Sequence, residues 1–192
     1  MGQLQGKLIF PTPQITTGDW TTVNDATAQN KPGGLYAAFD SKGRPVILQY
    51  VQLNATTPAT LVAGSAVYYK DSTATIVTNV IAEAATYAAS SSRANMSAAG
   101  VLANASATNG YFIFILVKGT YDTIVSPGSV VQGDILELTN AANTPPTISV
   151  WVRVAAGTAP AHTEWQGGLY CIALASESSS KVACFVRGGL MQ

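Results

Sequence analysis

The sequence predicts an all-β protein, a β-barrel or β-sandwich built from short antiparallel strands. Three observations carry that expectation. "GYFIFILVKG" at 110–119 holds seven consecutive apolar residues, nearly all aromatic or β-branched, with Gly at both ends. "TISVWVRV" alternates Ile148, Val150, Val152 and Val154 against Trp151 and Arg153, the period of a half-buried strand. And the first phrase returns as "KVACFVRGG" at 181–189, inside a wider internal similarity. A chain of 192 residues can bury a substantial core without a disulfide or a metal.

Residues 1–30 hold few large apolar side chains and several Thr, Asn and Gln, and read as an extended N-terminal arm that gains order on a partner. Residues 31–192 read as one all-β domain. "LYAAFDSKGRPVILQYVQL" is two strands around a turn from Asp40 to Gly43. "VAGSAVYY" and "VQGDILEL" are each a Gly-led turn running into a strand. "GVLANASATNGYFIFILVKG" and "GLYCIALASESSSKVACFVRG" are each a hairpin. In the run from Tyr111 to Val117 both alternating faces are apolar, so that strand must be covered on both sides. The run is too short to cross a bilayer as a helix, which takes about 20 residues. The single helix candidate is the Ala-rich stretch 81–94.

Sliding the chain against itself gives one recurring offset. Gly64 and Gly133 differ by 69, as do Gly119 and Gly188. Val117-Lys118-Gly119 matches Val186-Arg187-Gly188, and Thr75 and Thr78 match Thr144 and Thr147. The candidate duplicated units are 56–119 and 125–188, arranged either as one barrel or as two lobes. In that alignment Cys171 and Cys184 face Leu102 and Ile115, which reads them as reduced core residues rather than a disulfide.

Charge is sparse. Asp, Glu, Lys and Arg make up 10% of the chain, ten basic against ten acidic, scattered singly. An average soluble domain carries about 25%. No basic stripe suited to nucleic acid is present. Plentiful Ser, Thr, Asn and Ala with so little charge suits a surface that meets other protein. The N-terminus lacks the apolar core of a secretory signal, and Gly6 stands where myristoylation wants Ser or Thr, so synthesis in a cytoplasm is expected.

The search for chemistry returns little. His162 is the only histidine, and no Cys/His/Asp spacing suits a metal. "GSVVQGD" at 128–134 has Asp134 where a phosphate-binding Lys would stand, so it reads as a turn. Asp134 with Glu137, or His162 with Glu164, would be the acid/base candidates; surface carboxylates beside turns are far commoner. The sequons at Asn54, Asn95 and Asn104 matter only in a secreted eukaryotic protein. Trp20, Trp151 and Trp165 are candidates for stacking on a sugar, against a plainer role in core or interface. Arg93, Arg153 and Arg187 are candidates for interface charge pairs. No catalytic, cofactor-binding or metal residue is assigned, and no enzyme is expected.

By layout the chain resembles the capsid decoration, or cement, proteins of tailed double-stranded DNA bacteriophages. The resemblance rests on the polar N-terminal arm, on "GRPVILQYVQLNATTPATLVAGSAVYYKD", and on "AAGVLANASATNGYFIFILVKG", similar to that family's hairpin. It covers roughly 35–119 and, more loosely, 125–188. The long Thr/Asn-rich start and the second copy depart from it. The resemblance implies a structural virion protein on the capsid exterior, made in the host cytoplasm. It implies a homotrimer that contacts the major capsid protein, with no cofactor, nucleic acid or membrane. The competing expectation is a carbohydrate-binding or adhesin-like β-module, such as a head fibre or tail component.

Overall fold

The computed structural model describes residues 19–56, 61–70, 73–79, 98–138, 151–154 and 169–187. Among these the chain is all-β, with ten strands and a single 3₁₀ turn, Trp20–Thr22. The strands are β1 (Leu35–Phe39), β2 (Pro45–Leu53), β3 (Ala66–Tyr69), β4 (Ile76–Thr78) and β5 (Ala98–Leu102), followed by β6 (Phe112–Val125), β7 (Ile135–Leu138), β8 (Trp151–Val154), β9 (Tyr170–Ala173) and β10 (Lys181–Arg187). They form one sheet in the order β1-β2-β4-β3-β5-β6-β10-β9-β7-β8, and β2 also pairs with β6. That extra pairing closes β2, β4, β3, β5 and β6 into a five-stranded barrel, with the other strands bonded outside it. The stretch 81–94, expected as a helix, lies outside the described residues.

Two apolar clusters follow from this layout. The first draws only on barrel strands: Val51 and Leu53, Val67 and Tyr69, Val77, Ala99 and Leu102, with Ile113, Ile115 and Val117. All five barrel strands contribute, so this is the barrel interior. The second joins the opposite faces of those strands, including Leu48, Tyr50, Tyr68, Phe114 and Leu116, to β1, β7, β9 and β10. Tyr36, Tyr50 and Phe114 pack there as an aromatic group, with ring centroids 4.9 and 5.4 Å apart. The Tyr68 hydroxyl is buried in this second cluster with no hydrogen-bond partner among the described residues.

The apolar phrase thus needs cover on both faces because β6 lies between the barrel interior and the outer layer. Both covers come from within the chain. The strand does not end at Lys118-Gly119, as the sequence suggested; it runs on to Val125. What changes there is the face. Ile47 pairs with Lys118 but Leu48 pairs with Leu116, so Val117 is an extra, bulged residue on β6. Beyond a bulge the alternation shifts by one. Leu116 points into the second cluster, whereas Lys118, two residues on, is exposed. Gly119 follows at φ 128°, where a Cβ would lie 2.9 Å from Val46 Cγ1 and 3.0 Å from the Pro45 carbonyl oxygen. The second half of β6 leaves the barrel and pairs with β10.

The two Gly-led turns are built alike. The Ser65 N–H donates to the Val62 carbonyl at 3.1 Å, and the Asp134 N–H to the Val131 carbonyl at 3.1 Å. Gly64 N–H donates to Leu102 O at 2.8 Å, and Gly133 N–H to Ala173 O at 2.9 Å. Leu102 N–H returns to Ser65 O at 2.8 Å, and Ala173 N–H to Asp134 O at 2.8 Å. Both glycines have positive φ, 91° and 90°. The antiparallel series β3-β5-β6 and β7-β9-β10 have the same order. The correspondence is not a uniform 69: Leu102 and Ala173 differ by 71, because the β9–β10 connection is two residues shorter. Ser179 and Ser180 turn that connection with φ 51° and 59°, closed by reciprocal bonds between Ser178 and Lys181.

Two expectations are corrected by the packing. Residues 19–30 are not a free arm. Trp20 is 5% exposed and belongs to the second cluster, with Val23 packed against it. Asp25 exchanges backbone hydrogen bonds with Phe112 at 2.8 and 2.9 Å, and Asn24 exchanges side-chain bonds with Thr108. Only 1–18 remain of the arm as expected, and they lie outside the described residues.

The other concerns the returned phrase, read from the sequence as the counterpart of the first: its strand, β10, is not covered on both faces. Val182, Cys184 and Val186 are buried, whereas Ala183 and Phe185 are half-buried, because among the described residues no further layer lies over the outer sheet. Matched substitutions in the two phrases should therefore differ. Leu116→Ala, at a site with no exposure, should lose about 2–5 kcal/mol of stability, as a core cavity does. Phe185→Ala should lose about 1 kcal/mol. Urea unfolding of the two variants measures the gap, and equal losses would contradict this layering.

Candidate functional site

The outer layer leaves one sheet face to the surroundings, and register lines up its side chains in rows. Ala37 pairs with Ile47, Ile47 with Lys118, Lys118 with Arg187, and Arg187 with Tyr170. Directly paired residues share a face, so this row crosses five strands. Its two cations, Lys118 and Arg187, are exposed, and the Arg187 guanidinium lies 5.5 Å from the centroid of the Tyr170 ring. Two residues along, Phe39 pairs with Pro45, Phe185 with Ile172, and Ile172 with Ile135. These are exposed or half-buried, with Phe39 at 59%. This face presents two exposed cations, in a row that continues through Tyr170 to Glu137 of β7, beside a largely apolar row in which Thr120 stands opposite Phe185. At its β1 end the apolar row deepens into a groove of about 680 Å³ lined by Leu35, Ala37, Phe39, Pro45, Ile47 and Phe185 among others.

Next to that groove is a second cleft of about 540 Å³, sharing Phe39 and lined by Asp19, Trp20, Arg44 and Asp122 among others. It holds a small ion-pair network. Arg44 bonds Asp40 through Nε at 2.5 Å and Asp122 through Nη2 at 2.9 Å, and Lys42 Nζ reaches Asp122 at 2.7 Å. Burial alone would raise both carboxyls. Hydrogen bonds from the Arg44 and Lys42 backbone N–H groups and from the Arg44 side chain outweigh it at Asp40, and the Lys42 and Arg44 side chains outweigh it at Asp122. Both therefore sit below the ordinary carboxylate value of 3.8.

A folded-state pKa below the unfolded one means the unfolded chain takes up protons first as pH falls. The stability contributed is present above the unfolded value and is lost as pH drops through the folded one. The urea midpoint should thus be lower at about pH 3 than at about pH 7, and Asp122→Asn should show a shallower fall. An equal fall in that variant would mean the network is not the acid-sensitive element.

The sequence candidates distribute unevenly over this geometry. Arg187 lies on the outer face as an interface cation would. Arg153 is in β8, and Arg93 lies outside the described residues. Trp20 is held in the core and offers only 5% of its surface at the second cleft; Trp165 lies outside the described residues. Asp134 is fully buried, and its carboxylate accepts the Val131 N–H at 2.8 Å, so it closes a turn. Glu137 is in β7, while His162 and Glu164 lie outside the described residues. The side chain of Asn104 is buried and bonds the Val23 carbonyl and the Ser106 N–H.

Cys171 and Cys184 are free and buried, and burial together with the neighbouring Cys184 pushes the Cys171 thiol well up. Tyr50 is raised to about 12, first by burial and then by its hydrogen bond to the Asp25 carboxylate at 2.5 Å. Among the described residues no group of three or more His, Cys, Asp and Glu side chains could hold a metal ion.

Sequence reasoning missed Phe39, Pro45 and Ile172. The signal was present in "LYAAF": Tyr36 and Ala38 are buried, yet the alternate residues Leu35, Ala37 and Phe39 are apolar too. A strand at a sheet edge with both faces apolar marks a surface that something covers.

The fold and this face define a small closed barrel with an outer sheet whose free side is apolar and basic. Comparisons with protein-family models, with curated proteins and with solved structures find no match to this chain.

Proposed function

We propose that this chain is a structural virion protein that binds the outside of a bacteriophage capsid and stabilises it. The observation that carries the reading is the outer sheet face. Phe185, Ile172 and Ile135 line up beside Lys118 and Arg187, on strands whose other side is anchored in the core. Rigid strands carrying an apolar row and a cationic row suit docking on protein, because the apolar row supplies burial and the cations set orientation. The low overall charge and the resemblance to capsid decoration proteins point the same way. The partner is then the major capsid protein, met at symmetric sites on the shell by a homotrimer. Modest affinity repeated over many sites resists the pressure of packaged DNA without any one strong contact.

The test is reconstitution. Shells made without this protein are mixed with purified chain, and bound protein is measured with the shell's resistance to heat. Saturable binding and a higher disruption temperature are expected. Phe185→Asp and Arg187→Glu should each weaken binding at least about tenfold, the effect of losing about 1.4 kcal/mol per contact. Absence of binding to intact shells would overturn the reading.

A further inference from the structure

We propose that the apolar groove at the β1 edge is filled by the N-terminal segment Leu8-Ile9-Phe10 of the same chain. Four observations meet here. The groove is lined by Leu35, Ala37, Phe39, Pro45 and Ile47, and Phe39 is the most exposed large apolar side chain among the described residues. Among the described residues β1 pairs with β2 on one side and ends the sheet on the other, so its outer edge can take a further strand.

The preceding chain arrives beside this place. Asp19 and Trp20 line the cleft that shares Phe39 with the groove. Within 1–18 the only three consecutive large apolar residues are Leu8, Ile9 and Phe10. Eight residues lie between Phe10 and Asp19, an extended reach of up to about 30 Å.

The segment's chemistry fits an added edge strand. In extended form Leu8 and Phe10 share one face and can enter the groove together. Leu, Ile and Phe suit a pleated surface, and Pro11 and Pro13 stop the pairing after a short strand. The segment stays within reach of its own groove at an effective concentration in the millimolar range, which another molecule's segment matches only in concentrated solution. Phe185 and Lys118 also line the groove, so a docked segment takes that end of the face, while Tyr170, Ile172 and Arg187, further along, are left to a partner.

Lys7 provides the test, since trypsin cuts after it and a docked segment resists cleavage. Limited trypsin digestion of the full chain, followed by mass spectrometry, gives the rate of cleavage after Lys7. In Phe39→Asp that rate should rise about tenfold, as expected for a segment docked about nine-tenths of the time. Phe39→Leu should restore protection, and thermal unfolding should show both variants folded. Protection should not change with protein concentration. Equal rates in the native chain and Phe39→Asp would overturn the proposal. Protection that grows with concentration would also overturn it, placing the segment in the groove of a second copy.

Discussion

Gly64→Ala should be among the most destabilising single substitutions in this chain, costing more than about 4 kcal/mol. Gly64 has φ 91°, where a side chain is strained, and a Cβ there would lie 2.0 Å from the Thr123 carbonyl oxygen and 2.9 Å from both Ile124 Cα and Val125 N. All three are backbone atoms of β6, so relief requires the β3 turn and β6 to move apart. Its counterpart Gly133 has nearly the same φ, 90°, but no atom of the described residues within 4 Å of the added carbon. Gly133→Ala should therefore show only the conformational penalty, about 1–2 kcal/mol. The pair separates backbone strain from collision within one molecule. Urea unfolding reads both, and equal losses would mean that Gly64 does not lie against β6.

Removal of residues 1–30 should unfold the protein or nearly so, while removal of 1–18 should cost about 1 kcal/mol. The longer deletion takes Trp20 out of the core, and losing a buried aromatic of this size costs about 3–5 kcal/mol. It also removes the Asp25 bridge to Phe112 and the carboxylate that accepts from the buried Tyr50 hydroxyl, leaving polar groups short of partners. Against a typical total of about 5–15 kcal/mol the sum is large. Circular dichroism and thermal unfolding of the two truncations decide it. A well-folded 31–192 fragment would show that residues 19–30 are a passive strap.

The same region shows what a sequence hides. Residues 19–30 are polar because they bond the barrel through backbone and amide groups, and a hydrogen bond to one's own chain leaves no mark that distinguishes it from one to a partner. Trp20 and Val23 were the only large apolar clues. The strands themselves were legible, since "GYFIFILVKG" and "VILQYVQL" each hold an unbroken buried run, 113–117 and 48–51. The bulge at Val117 was not. An apolar run ending in Lys-Gly looks like a strand stopping, whereas here it is a strand changing faces and continuing as "TYDTIV".

The likeness of the two Gly-led turns was legible through Gly64 and Gly133, which share a φ and a hydrogen-bond pattern. The two-residue shortening of the second hairpin was visible only in the register. The outer face was the least legible part. Its rows are made by pairing between strands far apart in sequence, so Phe39 and Phe185 had no reason to be read together.

The central proposal, that this protein docks on a capsid exterior, is tested most directly by cryo-electron microscopy of tailed-phage shells saturated with the purified chain. The account predicts density for the barrel at repeated symmetric sites on the outside of the shell, with the face that carries Phe185 and Arg187 turned toward the capsid subunits. Absence of such density from the saturated shells would contradict it.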